Sequence, residues 1–189
     1  PEYFTEVRYL AHKKQIDALG VIQCVGDSFK QKFGRDSGGL LHEYNIENAE
    51  TVVVALGSVA GTIKDATDEL NAAGERFGVL SIASYRPFPA EAIRNSLKNA
   101  KRAIVVEKAF AVGIGGILSQ EIELALKGLD VEVVSIIAGL GGRNITKSAL
   151  KDCFLKKDHE KTTFLGLKEE IIAKEYQPLK GCGCKGGGQ

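Results

Sequence analysis

The sequence contains no methionine and no tryptophan, and only four prolines and four cysteines occur among its 189 residues. The first residue is proline, whereas a complete translation product begins with methionine, so we expect a processed chain or a fragment of a longer polypeptide. No apolar run reaches the roughly 18 residues of a membrane span, and no apolar segment follows a charged start as in a secretion signal. These absences predict a cytoplasmic protein without a membrane partner.

The chain also lacks an excess of charge of either sign. Lysine and arginine number 25 against 24 aspartates and glutamates, which leaves a formal net charge of +1. With charges so evenly balanced, the chain is not expected to bind nucleic acid or anionic lipid. The hydrophobic share of 44% is ordinary for a globular protein and predicts one sizeable core.

The cysteines do not indicate a disulfide framework. Cys24 and Cys153 are far apart in the sequence, and we expect them to be isolated thiols. Cys182 and Cys184 form a C-x-C pair, which is either a reactive pair of thiols or part of a metal or redox site that another subunit completes. Two sulfur atoms do not complete a site that needs about four ligands, so these cysteines are only weak metal candidates.

Strand and helix patterns alternate through the middle of the chain. Strand-like apolar runs lie at 51–58, 77–85, 102–108 and 131–140, and helical patterns lie at 61–74, 86–100, 117–128 and 144–156. This order requires right-handed crossovers and predicts a three-layer α/β/α domain with a mainly parallel sheet. We divide the chain into a helical arm that serves as an interdomain connector (1–45), this α/β domain (46–150), a helical extension (151–180) and a glycine- and cysteine-rich tail (181–189) that is expected to be disordered.

A glycine cluster follows the third strand, in "VVEKAFAVGIGGIL". Gly113, Gly115 and Gly116 begin like a dinucleotide-binding loop, but Leu118 stands where the G-x-G-x-x-G pattern requires its third glycine. The cluster also follows the third strand rather than the first. We therefore interpret it as a turn that brings strand and helix close together, with a nucleotide loop as the alternative.

A second set of small residues follows the first strand, in "ALGSVAGT". Gly57, Ser58, Gly61 and Thr62 are candidates for anion contacts, because free backbone N–H groups at a helix start bind phosphate or carboxylate. The same residue types are typical of any tight turn with a helix cap. Arg86, after the second strand, is a further candidate for the same anion.

Glu107 and Lys108 lie at the carboxyl end of the third strand, at the edge of an open α/β sheet where ligands and partners bind. The carboxylate is a candidate acid or base, and both residues are candidates for contact with a neighbouring domain. The three histidines, His12, His42 and His159, are predicted to lie outside the sheet. No catalytic group pairs with Glu107, so we assign no catalytic residue.

Five segments, in order along the chain, resemble a known family. They are "PEYFTEVRYL", "AETVVVALGSVAGTIKDATDEL", "YRPFPAEAI", "VVEKAFAVGIGG" and "IIAGLGGRNIT". Together they resemble the C-terminal part of the α subunit of pyruvate:ferredoxin oxidoreductase and of related 2-oxoacid:ferredoxin oxidoreductases. The resemblance runs from the first residue to about residue 150, and it implies a domain like the C-terminal domain of transketolase.

The resemblance also implies a chemistry for the complete enzyme. Such enzymes decarboxylate a 2-oxoacid on thiamine diphosphate and Mg²⁺, pass electrons through 4Fe-4S clusters to ferredoxin, and transfer the acyl group to coenzyme A. The cofactor motifs of the family are missing from this chain. We therefore expect a chain that binds no cofactor alone, is inactive alone, and assembles with the thiamine-binding and iron–sulfur subunits.

Two other hypotheses remain at this point. One is a free-standing α/β domain that binds an anion or cofactor. The other is part of a thiamine-dependent component of the transketolase or dehydrogenase type, which uses no ferredoxin. The "PEYFTEVRYL" and "YRPFP" segments favour the ferredoxin-linked branch, and the overall resemblance favours pyruvate as the 2-oxoacid.

Overall fold

A computed structural model of the chain describes residues 2–177. Its strands are β1 (Leu41–Tyr44), β2 (Thr51–Leu56), β3 (Phe77–Ile82), β4 (Arg102–Glu107), β5 (Phe110–Ala111), β6 (Gly115–Gly116), β7 (Glu132–Ile137) and β8 (Thr162–Phe164). Its helices are α1 (Phe4–Phe33), α2 (Val59–Ala72), α3 (Ala90–Leu97), α4 (Ile117–Ala125), α5 (Lys147–Phe154) and α6 (Glu169–Glu175). A single 3-10 turn, Leu140–Gly142, follows β7.

Six strands form one sheet in the order β1-β3-β2-β4-β7-β8. All neighbouring pairs are parallel except β1 with β3, which is antiparallel. The central strands are rich in β-branched residues because both of their faces are covered, as Val52 to Ala55 of β2 show with at most 1% exposure. The three-layer α/β/α prediction with a mainly parallel sheet is confirmed.

The alternation of side chains along the strands creates two cores. Val53 of β2 points to the face that α2 and α5 cover, where it joins Ile63 and Phe154. Its neighbour Val54 points to the opposite face, which α3 and α4 cover, and joins Ile93 there. Both layers leave the carboxyl ends of β2, β4 and β7 at one edge of the sheet.

Two short strands depart from the sequence-based expectation. Residues 41–44, which we assigned to the helical arm, form the edge strand β1, so the prediction that all three histidines lie outside the sheet was wrong for His42. In the segment predicted as a helical extension, β8 adds a parallel strand beside β7 and only Glu169–Glu175 form a further helix. Both strands are three or four residues long and obtain their hydrogen bonds from distant strands, so local periodicity does not reveal them.

The division of the chain into domains stays a prediction. Helix α5 runs across the boundary drawn at residue 150. The tail at 181–189, with Cys182 and Cys184, lies outside the described residues, as do residues 178–180. None of the helices within residues 2–177 combines the length and hydrophobicity needed to cross a bilayer.

Helix α1 is 30 residues long and contains no buried residue. It ends at Gly34, whose positive φ of 66° allows its N–H to donate to the Lys30 carbonyl oxygen at 2.8 Å. Four aliphatic side chains that are each about 60% exposed share one side of this helix by their spacing at 3.6 residues per turn. We call them the α1 stripe: Val7, Leu10, Val21 and Val25.

An ion-pair cluster joins α2 to α5. The Glu69 carboxylate accepts hydrogen bonds from Lys147 and Lys151, which lowers its pKa from 4.5 to about 2. Because the folded-state pKa lies below the unfolded value, the cluster stabilises the fold above about pH 4.5 and ceases to do so as the pH falls towards 2.

We therefore expect Glu69→Gln to lower the midpoint of thermal unfolding at pH 7, and we expect this difference to shrink progressively below about pH 4.5. The effect is small because all three side chains are exposed to water. Thermal unfolding of both proteins between pH 7 and 3 measures it, with Glu75→Gln as control because Glu75, near the end of α2, forms no ion pair within residues 2–177. A difference that stays the same across this range contradicts the prediction.

Candidate functional site

The carboxyl edge of the sheet contains a crevice with a volume of about 580 Å³. The strand order reverses here, because the chain proceeds from β2 to β3 on one side and the later strands β4 and β7 lie on the other. In open α/β sheets this switch point is the usual position for a ligand. The crevice is lined by Leu56, Ser58, Val59, Thr62, Tyr85, Val106, Glu107, Lys108, Ala109, Leu118, Ala138, Gly139, Gly142, Arg143, Asn144 and Ile145.

The β2–α2 turn places two of the predicted contacts in the crevice. Ser58 and Thr62 line it, and the Ser58 side chain makes no cap hydrogen bond to the helix. Gly57 adopts a positive φ of 71° that lets the chain turn from strand to helix. Gly57 and Gly61 are exposed but do not line the crevice, and a Cβ at Gly61 would meet nothing within 4 Å.

Glu107 lies at the end of β4 and is only 6% exposed. Its two carboxylate oxygens accept hydrogen bonds from the backbone N–H groups of Leu118, at 2.7 Å, and Ser119, at 2.9 Å. These donors belong to the first turn of α4, where the helix dipole favours a negative charge. Both carboxylate oxygens of Glu107 thus hold the first turn of α4 against the sheet.

The glycine cluster forms a hairpin between β4 and α4. Strands β5 and β6 pair Phe110 with Gly116 and Ala111 with Gly115, and Gly113 and Gly115 have φ values of 82° and 115°. The N-terminus of α4, where a phosphate bound by this loop would lie, is occupied by the Glu107 carboxylate. The geometry supports the interpretation of the cluster as a turn.

Gly116 lies where the hairpin meets α4, among buried polar groups. A Cβ at this position would overlap the Glu107 carboxylate and lie 2.6 Å from the hydroxyl oxygens of Ser119 and Ser135. Those two hydroxyls are hydrogen bonded to each other at 3.1 Å. The absence of a side chain at Gly116 thus provides the space in which this buried network forms.

Two cations from different loops border the crevice. Lys108 follows β4 directly and is exposed, and Arg143 follows the 3-10 turn after β7. The Arg143 guanidinium donates a hydrogen bond to the Gly166 carbonyl oxygen, which holds it beside the β8 end of the site. Within residues 2–177 neither cation forms an ion pair.

Arg86 does not line the crevice. Its guanidinium forms an ion pair with Glu121, which raises the pKa of Arg86, and it lies 4.0 Å from the centre of the Tyr85 ring. Tyr85 itself lines the crevice, and burial together with its interaction with Glu121 raises the pKa of its hydroxyl group. Arg86 thus orients a wall residue of the crevice instead of lining it.

No histidine lines the crevice. His12 lies on α1 and His42 on β1, while His159 lies in the loop before β8. Both ring nitrogens of His159 are buried and have no hydrogen-bond partner among residues 2–177, and burial, together with the nearby Arg102 and Lys156, lowers its pKa. Of the residues predicted from sequence, Ser58, Thr62, Glu107 and Lys108 meet in the crevice.

Sequence reasoning missed Arg143 and Asn144 as crevice residues. A signal was available, because both residues come shortly after the fourth predicted strand, at the same edge of the sheet as Lys108 at the end of the third. What the sequence does not show is that β4 and β7 are direct neighbours in the sheet, which brings the two loops together.

Comparisons with known proteins show which family this chain shares with its relatives. Residues 49–150 match the family model described as pyruvate:ferredoxin oxidoreductase core domain II. The chain is 37% identical over 172 residues to the pyruvate synthase subunit PorA of Methanothermobacter thermautotrophicus, which covers 90% of this chain and 44% of that protein. It is 35% identical over 182 residues to the ketoisovalerate oxidoreductase subunit VorA of Pyrococcus horikoshii, which covers 95% of this chain and 45% of that one.

A solved structure has the same fold. It is a 2-oxoglutarate:ferredoxin oxidoreductase from Magnetococcus marinus with 2-oxoglutarate, coenzyme A and succinyl-CoA bound, similar at a TM-score of 0.51 and 17% identity over 82% of this chain and 24% of that one. At this identity the likeness concerns the fold alone. The chain spans less than half the length of the PorA and VorA relatives that it matches.

Proposed function

Because the chain belongs to the pyruvate:ferredoxin oxidoreductase family, as the match of its α/β domain and its identity to PorA subunits show, we propose that it is a non-catalytic assembly domain of such an enzyme. The complete enzyme would decarboxylate pyruvate oxidatively to acetyl-CoA and CO₂ and reduce ferredoxin. The partners of the chain would be the thiamine-binding and iron–sulfur parts of the enzyme, with ferredoxin and coenzyme A as partners of the whole.

Within residues 2–177 there is neither a metal-binding group nor a free helix N-terminus at the glycine cluster for the cofactors that the family implies. Within residues 2–177 no three His, Cys, Asp or Glu side chains lie together as a metal-binding group. The N-terminus of α4, which would suit a diphosphate, holds the carboxylate of Glu107 instead. In this proposal thiamine diphosphate, Mg²⁺ and the 4Fe-4S clusters belong to other parts of the enzyme, and this chain carries out no chemical step.

The α1 stripe is the observation that supports an assembly role. Val7, Leu10, Val21 and Val25 expose aliphatic surface along one side of a helix that packs little against its own domain. Aliphatic side chains exposed on one side of a helix are a common feature of protein interfaces. The stripe would bind the part of the oxidoreductase that corresponds to the uncovered half of the PorA subunits.

Replacing Val21 and Val25 by aspartate is expected to weaken assembly with the remaining oxidoreductase polypeptides at least tenfold, because two charges would have to be buried in an apolar contact. Co-purification and the dissociation constant of the complex measure the change. Pyruvate oxidation by the complex should fall in parallel, while the circular dichroism spectrum of the chain stays the same.

The matched control is Thr5→Asp with His12→Asp, which adds the same charge on the opposite side of α1, where both residues are exposed. This variant should assemble normally. Normal assembly of the Val21/Val25 variant would rule out the stripe as the interface. Thiamine-dependent pyruvate oxidation by the chain alone would contradict its non-catalytic role.

The choice of pyruvate rests on the PorA relatives, since the VorA relatives are named for ketoisovalerate. Pyruvate, 2-ketoisovalerate and 2-oxoglutarate offered to the assembled enzyme would distinguish these substrates by their kcat/KM values. A cytoplasmic location stays a prediction.

A further inference from the structure

We propose that the crevice at the carboxyl ends of β2, β4 and β7 binds a small organic anion with an apolar body. This inference goes beyond the proposed assembly role, because the crevice lies on the α/β domain and contains none of the residues of the α1 stripe. It rests on the shape of the crevice, the chemistry of its floor and the charges at its border.

The crevice has the dimensions of a ligand site. Its volume of about 580 Å³ lies within the range of roughly 300–1,000 Å³ that is typical of small-molecule pockets. Strands β2 and β4 are neighbours at the switch point, and the chain leaves them towards opposite sides, which opens the cleft between the following loops. The concavity therefore results from the topology of the sheet.

The floor of the crevice is apolar. Its accessible apolar surface comes from the half-buried side chains of Leu56, Val59 and Ile145, which line the crevice together with the buried Val106, Leu118 and Ala138. A ligand that displaced water from these groups would gain about 25 cal/mol for each Å² of apolar surface buried. An inorganic ion has no apolar surface to bury there, whereas a ligand with a hydrocarbon body does.

The charged groups at the border favour a negative ligand. Lys108 and Arg143 are cations without an ion-pair partner within residues 2–177, and they reach the crevice from separate loops. The hydroxyl groups of Ser58 and Thr62 add donors at the start of α2, where the helix dipole contributes partial positive charge.

One acidic residue, Glu107, also lines the crevice, and its charge opposes an anion. Its side chain is buried, and both oxygens already accept hydrogen bonds from the first turn of α4. The partial positive charge at the helix N-terminus therefore reduces the repulsion between Glu107 and an anionic ligand. The two cations at the border have no comparable compensation, so the net preference is for an anion.

The test is an NMR titration of the isotopically labelled 189-residue chain with phenyl phosphate, phenylacetate and the neutral benzyl alcohol. We expect the better anionic probe to bind at least tenfold more tightly than benzyl alcohol and to shift the amide signals of Ser58, Val59 and Arg143. Comparison of the two anions identifies the preferred head group. Equal affinity for the neutral probe, or shifts confined to other surfaces, overturns the proposal.

Variants test the role of the cations. Lys108→Ala with Arg143→Ala should weaken binding of the anionic probe at least tenfold. The matched double variant, Lys98→Ala with Lys168→Ala, removes two exposed cations outside the crevice and should change the affinity less than twofold. Equal effects of the two double variants contradict a specific site.

The assembled oxidoreductase provides the last comparison. Binding of the anionic probe should persist in the complex, and the Lys108/Arg143 variant should still assemble. Loss of probe binding on assembly would show that another polypeptide fills the crevice, which overturns a small-molecule ligand. This outcome does not depend on the α1 stripe, so the two proposals can fail separately.

Discussion

Replacing Gly116 by alanine is expected to lower the free energy of unfolding by about 2–4 kcal/mol. The backbone conformation at Gly116 suits alanine, because its φ is −68°, so the cost comes from the surroundings. The new methyl group would overlap the Glu107 carboxylate and crowd two hydroxyl oxygens. To make room, Glu107 must leave the N–H groups of Leu118 and Ser119, and a buried carboxylate and two buried donors lose their partners.

Urea-induced unfolding followed by circular dichroism measures this loss. Gly61→Ala is the matched control, because Gly61 lies in α2 with open space around its Cα, and alanine stabilises a helix by roughly 0.5–1 kcal/mol relative to glycine. The two substitutions should thus move the unfolding midpoint in opposite directions. If Gly116→Ala proves as harmless as the control, the buried network does not constrain the fold as described.

Replacing Phe154 by alanine is expected to cost about 3–5 kcal/mol of unfolding free energy. Phe154 ends α5, is fully buried, and packs its ring against that of Phe77 on β3 with 6.0 Å between the ring centres. Its carbonyl oxygen also accepts a hydrogen bond from Arg102 at 2.9 Å, which ties the end of α5 to β4. Removal of the ring leaves a cavity that these rigid elements cannot fill.

The same unfolding experiment checks this prediction, with Leu155→Ala as control. Leu155 is the next residue along the chain but is 48% exposed, so its truncation should change the stability by no more than about 0.5 kcal/mol. Similar losses for the two variants would contradict the packing described for α5.

The core strands could be predicted because their local sequence matches their environment. The β-branched run of β2 and the apolar runs of β3, β4 and β7 are buried on both faces, and each is long enough to show this. Strands β1 and β8 cannot be recognised from their local sequence. Each has few residues, and its stability comes from hydrogen bonds to a strand that is distant in the sequence.

Only part of the candidate site could be predicted, because some of its residues are brought together by contacts between distant segments of the chain. Ser58 and Thr62 were selected because backbone N–H groups at a helix start bind anions, and Lys108 because ligands gather at the carboxyl ends of strands. The role of Glu107 depends on where the first turn of α4 lies after the intervening hairpin, and no local pattern encodes that distance. Arg143 required knowledge of which strands are neighbours.

The length of α1 sets a geometric condition on whatever it binds. At about 1.5 Å per residue, its 30 residues extend for about 45 Å, and the two ends of the stripe, Val7 and Val25, are about 27 Å apart. An extended chain needs at least about eight residues to cover this distance, so a partner needs either one elongated element or two separate contact sites. If the partner contacts both ends of α1, binding at one end raises the effective concentration of the partner at the other end. A substitution at one end then weakens the affinity but leaves the contact at the other end intact.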